Sequence, residues 1–210
     1  MTAAVDHLVY ACPRLEDGVD ELARLTGLRA AYGGRHPGEG TCNALLALGP
    51  RCYLELIAPD PSQPAPQGPR PFGLDGLLRP ALRGWAARVS DLPASLRAAR
   101  EAGADLGEVV SGRRHTPDGR LLQWSMTWTA NAGTPAIFPF LIDWGETAHP
   151  AEQAPSGLVL VKLVIRTRHP NRVLRVLEAL DLSVPVESGE EGLWVTLEGP
   201  DGEVVTLSSA

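Results

Sequence analysis

The stretch DHLVY at residues 6–10 decides the fold, together with the stretch YLELI at residues 53–57. Each is a short alternating run, and such a run predicts a β-strand with one face toward a core. The first also carries a histidine, His7, and the second a glutamate, Glu55, where an inward apolar residue could have stood. The two strands are therefore the first candidates for a polar site inside the fold.

The residues between these strands complete one structural unit. Apolar residues recur at helical spacing from residue 15 to residue 25, and Gly27 ends that pattern. Further strands are predicted over residues 28–32, 44–48 and 52–57, the last two joined by a short turn. The unit is β-α-β-β-β.

The same unit recurs along the chain. The paired modules are expected at residues 1–60 and 82–147, within a region spanning residues 1–150. An additional partial β-α-β-β-β module is expected at residues 157–210. The prediction is an α+β fold built from repeated modules. A proline-rich linker, residues 58–80, joins the first two modules as a plain connector with a short packed helix or as a lid.

Bulk properties restrict the class of partner. The formal net charge of −6 argues against binding nucleic acid, which needs a basic surface. No apolar run approaches the length of about 18 residues that suggests a membrane span, and no signal peptide is apparent at the N-terminus. We therefore predict a cytoplasmic protein with no membrane or nucleic-acid partner, and a homodimer is compatible with the sequence.

Four stretches together carry a resemblance to a known family. They are residues 6–10, 33–43 (GGRHPGEGTCN), 53–61 (YLELIAPDP) and 138–144 (FPFLIDW). With this set the chain resembles the glyoxalase-like domain proteins of the vicinal-oxygen-chelate superfamily. The resemblance covers residues 5 to about 150, and residues 157–210 resemble a further module of the same type.

The resemblance implies that the repeated modules form an open, curled mixed sheet with a cleft between the paired modules. It also implies metal ligands on the first and last strands of each module. By position it places His7, Glu55 and Asp143 in ligand slots, and these side chains suit Zn, Mn, Fe or Ni. The fourth slot falls on Trp85, whose indole N–H is only a donor, so the chain departs from the family pattern there.

A second interpretation needs no metal. His7 and Glu55 also suit an acid–base pair that removes a proton next to a carbonyl group, or a structural polar pair in an inactive cleft. Glu55 and His36 are the candidate catalytic residues. His36 is also a candidate metal ligand if its glycine-rich loop folds back.

The candidate substrate-binding residues extend beyond that pair. They are Arg35, His36, Asn43, Trp85 and Trp124. Residues 33–41 are interpreted as a ligand-facing loop or as an ordinary exposed turn, and Trp124 as core or as a pocket wall. Residues 113–115 (RRH) are interpreted as an exposed basic loop or as an anion contact.

Two functions of different class follow. The first is a glyoxalase-like enzyme with lyase, isomerase or dioxygenase chemistry on a carbonyl- or enolate-bearing small molecule, assisted by a divalent metal in one version. The second is a non-catalytic protein that sequesters a small molecule in the same cleft.

Overall fold

The computed structural model describes residues 3–129 and 136–209, which hold twelve strands, three α-helices and two short 3₁₀ helices. The first unit comprises β1 (Ala4–Ala11), α1 (Leu15–Thr26), β2 (Ala31–His36), β3 (Thr41–Gly49) and β4 (Cys52–Pro59). The second comprises β5 (Ala81–Arg88), α2 (Leu92–Glu101), β6 (Glu108–His115), β7 (Leu121–Trp128) and β8 (Phe140–Asp143). The third comprises β9 (Val159–Thr167), α3 (Pro170–Ala179), β10 (Val186–Ser188), β11 (Gly192–Glu198) and β12 (Val204–Ser208).

Helix boundaries follow the local sequence. Helix α1 ends at Gly27, which adopts the left-handed conformation that glycine reaches without steric cost. Helix α2 begins after Asp91, whose side chain accepts a hydrogen bond from the backbone N–H of Ala94. None of the helices in the described ranges is long and apolar enough to cross a membrane.

The first two units form one eight-stranded sheet in the order β2-β3-β4-β1-β5-β8-β7-β6. In each unit the last strand runs parallel to the first, and antiparallel pairing of β1 with β5 joins the units. The sheet curls until its edges β2 and β6 approach each other, where Arg114 donates a hydrogen bond to the carbonyl of Gly33. The predicted α+β class with a curled mixed sheet is confirmed.

Strand alternation gives the sheet two distinct faces. The outer face joins the helices and the third unit in one large apolar core, which contains Leu8, Leu54 and Trp85 from the sheet and Ile165 and Val195 from the third unit. The inner face carries the polar side chains and the aromatic rings. The cleft therefore lies on the concave side, away from the main core.

The third unit has the predicted order of elements but a different strand arrangement. Its sheet has the order β10-β9-β11-β12, with β10 parallel to β9 and β11 antiparallel on the other side of β9. In the first two units the strand parallel to the first is the last one, not the one that follows the helix. The third unit is thus not a copy of the same fold, and it packs on the outer face of the large sheet.

Two segments predicted as loops are strands. Residues 33–36 belong to β2, where Gly33 and Gly34 permit close packing: a Cβ on Gly34 would lie 2.6 Å from the carbonyl oxygen of His115. Residues 113–115 belong to β6 rather than to an exposed basic loop, and Arg114 in their centre is buried. The glycines thus serve the closure of the sheet, and the turn follows at residues 37–40.

The proline-rich connection covers the mouth of the cleft. It contains a 3₁₀ helix, Pro71–Gly76, in which Phe72 adopts a left-handed backbone conformation with φ of 58°. The ring of Phe72 contacts Trp128 at 5.8 Å and Phe140 at 6.1 Å between centroids. The segment therefore lies where a lid would lie.

Candidate active site

The cleft is built from alternate residues of the inner face. Its lining combines two imidazoles, two carboxylates and a guanidinium with a wall of aromatic and aliphatic side chains. The open space is about 50 Å³, well below the roughly 300 Å³ of a typical small-molecule site. A ligand can therefore enter only when Phe72 and its neighbours on the covering segment shift.

Asp6 is the buried anchor of the site. Its carboxylate is fully buried and accepts hydrogen bonds from His7 Nδ1 at 2.7 Å, His149 Nε2 at 3.1 Å and Trp144 Nε1 at 3.2 Å. Burial raises the pKa of Asp6, but the hydrogen bonds from His149 and His7 outweigh it and hold the pKa far below its ordinary value. Asp6 is therefore ionised and fixes the two imidazoles.

His7 has a defined orientation as a result. Because an ionised carboxylate only accepts, the Nδ1 atom of His7 carries the proton, and Nε2 points toward the cleft. The ring stacks on Tyr53 with centroids 4.5 Å apart and planes 16° apart, and Phe140 meets it edge-on at 5.2 Å. Nε2 of His7 lies 3.8 Å from Oε2 of Glu55.

Glu55 lies between two imidazoles. Its Oε1 accepts a hydrogen bond of 2.6 Å from Asn43 Nδ2 and lies 3.8 Å from Nε2 of His36. His36 is held by Thr41 through an Nδ1 to Oγ1 contact of 2.9 Å. Burial lowers the pKa of His36. The charge of Glu55 raises this pKa, and Arg114 and His7 lower it. A neutral His36 thus accompanies a carboxylate whose Oε2 faces the cleft.

The predicted metal ligands are not all brought together. His7 and Glu55 meet in the cleft, but Asp143 accepts a hydrogen bond from the N–H of Gly145 at 2.9 Å and does not line the cleft. In residues 3–129 and 136–209, no group of three His, Cys, Asp or Glu side chains is placed to hold a metal ion. The set of His7, Glu55 and Asp143 does not fit a metal centre in this arrangement.

Strand register explains this outcome. On β5 the residue facing the cleft beside His7 is Ala86, because β1 pairs His7 with Ala86. On β8 the cleft-facing residues are Phe140 and Ile142, one position from Asp143. A slip of one residue moves a side chain to the other face of a sheet. The second unit therefore contributes apolar groups where the resemblance implies ligands.

Some of the predicted substrate-binding residues line the cleft and others do not. Asn43, His36 and Trp124 line the cleft, and the Trp124 ring lies 5.5 Å from that of Trp144. Arg35 points outward, with an ion pair of 3.2 Å between its Nε and Asp60. Trp85 is fully buried in the outer core, so the structure does not bring it to the cleft.

Sequence reasoning missed Asp6 and Arg114. Strict alternation places Asp6 on the face opposite His7, but the pairing of β1 with β5 shifts register between Val5 and His7. Such a bulge lets two consecutive side chains share one site. The adjacent acid and imidazole in DHLVY were a usable signal. Arg114 was not singled out, because residues 113–115 were interpreted together as an exposed basic loop or as an anion contact.

Comparisons with known proteins agree with this fold. The chain matches the model of the glyoxalase-like domain family over residues 5–180. A hypothetical protein from Staphylococcus aureus superposes with a TM-score of 0.61 at 14% identity, covering 99% of this chain and 88% of that one. A mutant of 4-hydroxymandelate synthase from Streptomyces coelicolor gives 0.51 at 14% identity, covering 99% and 62%.

A third solved structure covers a smaller part of the chain. Methylmalonyl-CoA epimerase from Mycobacterium tuberculosis superposes with a TM-score of 0.42 at 21% identity, covering 66% of this chain and 84% of that one. A search of curated protein sequences found no match. At 14% identity the first two structures support the fold alone.

Proposed function

The chain belongs to the glyoxalase-like domain family, and from that premise we propose an enzyme that moves a proton next to the carbonyl group of a small molecule held in the cleft. One observation carries the proposal: Asp6 fixes His7 so that its Nε2 lies 3.8 Å from Oε2 of Glu55 inside the cleft. A reacting atom placed beside these two groups, about 3 Å from each, is within reach of both.

Glu55 is the proposed base. Asn43 holds one of its oxygens, so the other is presented to the cleft in a fixed direction. It would take a proton from the carbon next to the carbonyl group and return it to the same or a neighbouring atom, as in isomerase and lyase chemistry. His36, neutral and 3.8 Å from Oε1 of Glu55, is the proposed partner in proton transfer.

The opposite wall keeps the reaction dry. Trp124, Met126 and Ile142 line the cleft across from the polar groups, and Phe72 covers the opening. Exclusion of water strengthens the attraction between a developing enolate and the N–H donors of Arg114, which lines the same cleft. A divalent metal is common in the superfamily, but these residues do not assemble a site for one, and no step of the proposal passes through a metal.

A non-catalytic binder is the second candidate. The observation that favours it is the apolar character of the second unit, in which Ala86, Phe140 and Ile142 face the cleft. The same cleft would then enclose an aromatic ligand without changing it. A cytoplasmic location and a homodimer remain predictions under either function.

Deuterium exchange separates the two candidates. The protein is incubated in D₂O with a panel of 2-oxo acids, 2-hydroxy ketones and acyl thioesters, and proton NMR follows the C–H signal next to each carbonyl group. An enzyme of the proposed type accelerates the loss of that signal for at least one class. Saturable quenching of tryptophan fluorescence by a compound that never exchanges supports the binder.

A further inference from the structure

Arg114 spans the seam at which the large sheet closes. It lies on β6, only 4% of its surface is exposed, and it donates a hydrogen bond to the carbonyl of Gly33 on β2. Its side chain lines the cleft and also a second cavity of about 200 Å³ between β2 and the β6–β7 hairpin. A cationic group is thus placed between two cavities.

The charge of this guanidinium is not matched by a neighbouring carboxylate. Within the described ranges, no Asp or Glu side chain lies within 4.0 Å of it, whereas Arg35, Arg70 and Arg88 all have such partners. Buried charges in proteins are normally paired, because an unpaired one is costly to desolvate. A guanidinium has five N–H donors. In the described ranges, the Gly33 carbonyl is the one acceptor that forms a hydrogen bond with the guanidinium of Arg114.

The surroundings select the form of ligand. Burial lowers the pKa of Arg114, while Tyr53 and Glu55 raise it, so Glu55 acts on Arg114 through space although it forms no ion pair with it. Arginine presents paired N–H groups that match the two oxygens of a carboxylate. Glu55 and Arg114 line the same cleft and form no ion pair within 4.0 Å, so each keeps hydrogen-bonding capacity for a ligand that enters the cleft.

We propose that Arg114 binds a carboxylate group of the substrate, so that the substrate class is a small carboxylic acid whose reacting carbon faces Glu55. The assignment of the reacting carbon rests on the proposed function, whereas the carboxylate site rests on Arg114 alone. The contact with Gly33 also ties two strand edges together, and a purely structural role for Arg114 is the alternative to be separated by experiment.

The test compares phenylacetate with phenylacetamide, which share a ring and a shape but differ in charge. Binding is followed by quenching of tryptophan fluorescence at constant ionic strength, for wild type, Arg114→Gln, Arg114→Lys and Glu55→Gln. Arg113→Gln removes an exposed neighbouring charge on the same strand and is the matched control. Thermal melting reports whether each variant folds.

We expect wild type to prefer the carboxylate on the order of 10- to 100-fold, the effect of a charged hydrogen-bonded pair. Arg114→Gln removes this preference without weakening phenylacetamide binding, Arg114→Lys keeps part of it, and Arg113→Gln keeps all of it. Equal binding of both probes by wild type overturns the proposal, whether or not Arg114→Gln folds. Retention of the preference by a folded Arg114→Gln protein also overturns it.

The Glu55→Gln variant separates this inference from the proposed function. If it loses deuterium exchange and keeps the carboxylate preference, both proposals stand. If wild type catalyses no exchange but prefers the carboxylate through Arg114, the carboxylate site stands and the proposed enzyme function fails.

Discussion

Asp6 is the residue on which the geometry of the cleft depends. It is a buried anion that no solvent reaches, and it directs the rings of His7 and His149 as well as the indole of Trp144. The family resemblance pointed to His7 and Glu55 but said nothing of the carboxylate behind His7. A group that orients another side chain leaves little trace in a sequence, because its neighbours in space are distant in the chain.

Replacing Asp6 by Asn should lower the free energy of unfolding at pH 7 by about 3 kcal/mol. The reason is that four donors, from His7, His149, Trp144 and Arg88, lose their charged acceptor. The folded pKa of Asp6 lies below its ordinary value of 3.8, so its contribution is present above that pH and is lost as the pH falls through the folded value. The difference between wild type and Asp6→Asn should therefore shrink at low pH. Urea denaturation at pH 7 and pH 3 measures it.

Asp143→Asn is the control for that experiment. Asp143 accepts a hydrogen bond from the N–H of Gly145 and is half-buried, so its replacement should have a small effect. A loss in Asp6→Asn no greater than in Asp143→Asn would contradict the anchoring role of Asp6.

At the level of strands, the sequence predicted the pairing of segments more reliably than it predicted the side chains that face the cleft. The strands around His7 and Glu55 and the β3–β4 hairpin lie where the alternation indicates. Strand β5 pairs Ala86 with His7 and Trp85 with Leu8. Because side chains alternate with a period of two, this register places Trp85 beside Leu8 in the outer core.

Trp85 and Trp124 make a matched pair for testing the two faces. Trp85→Phe should lower the free energy of unfolding by about 2 kcal/mol, since it shrinks a fully buried side chain, and should leave binding of phenylacetate to the cleft unchanged. Trp124→Phe should alter that binding, because Trp124 lines the cleft. Calorimetric titration measures binding in both variants. If Trp85→Phe changed the binding of phenylacetate and Trp124→Phe did not, this assignment of faces would be contradicted.

The covering segment is the element whose behaviour the sequence left open. Its prolines exclude a place inside a sheet, and they fit both a connector and a lid. The structure places Phe72 against Trp128 and Phe140 at the mouth of the cleft. Which of the two interpretations applies depends on packing between segments distant in sequence, and local composition does not encode that.

For the molecule as a whole, the internal repeats made the fold predictable, but they did not reveal a difference in strand pairing between the units. The first two units share both element order and strand pairing, and they close into one curled sheet. The third repeats the element order but pairs its strands differently. Both arrangements fit the same alternation of strands and helix, so tertiary packing against the outer face decides between them.

The candidate site is divided unevenly between the first two units. The first unit provides His7, His36, Asn43 and Glu55, and the second provides Arg114 and the apolar wall. The proposed proton-moving groups lie in one unit and the proposed ligand-holding groups in the other, which is consistent with a cleft between two diverged modules. This division also explains why ligand slots carried over by position from one unit to the next placed Asp143 and Trp85 in the cleft.

The most direct test of the account is deuterium exchange catalysed by metal-free protein, with Glu55→Gln compared to Asp143→Asn. The protein is treated with a chelator, its metal content is verified, and exchange is measured on the substrate class found active. The account predicts that exchange persists without metal, falls by about 100-fold or more in Glu55→Gln, the scale of a lost general base, and is unchanged in Asp143→Asn. Exchange that disappears with the chelator, returns on adding a divalent metal and fails in Asp143→Asn would contradict it.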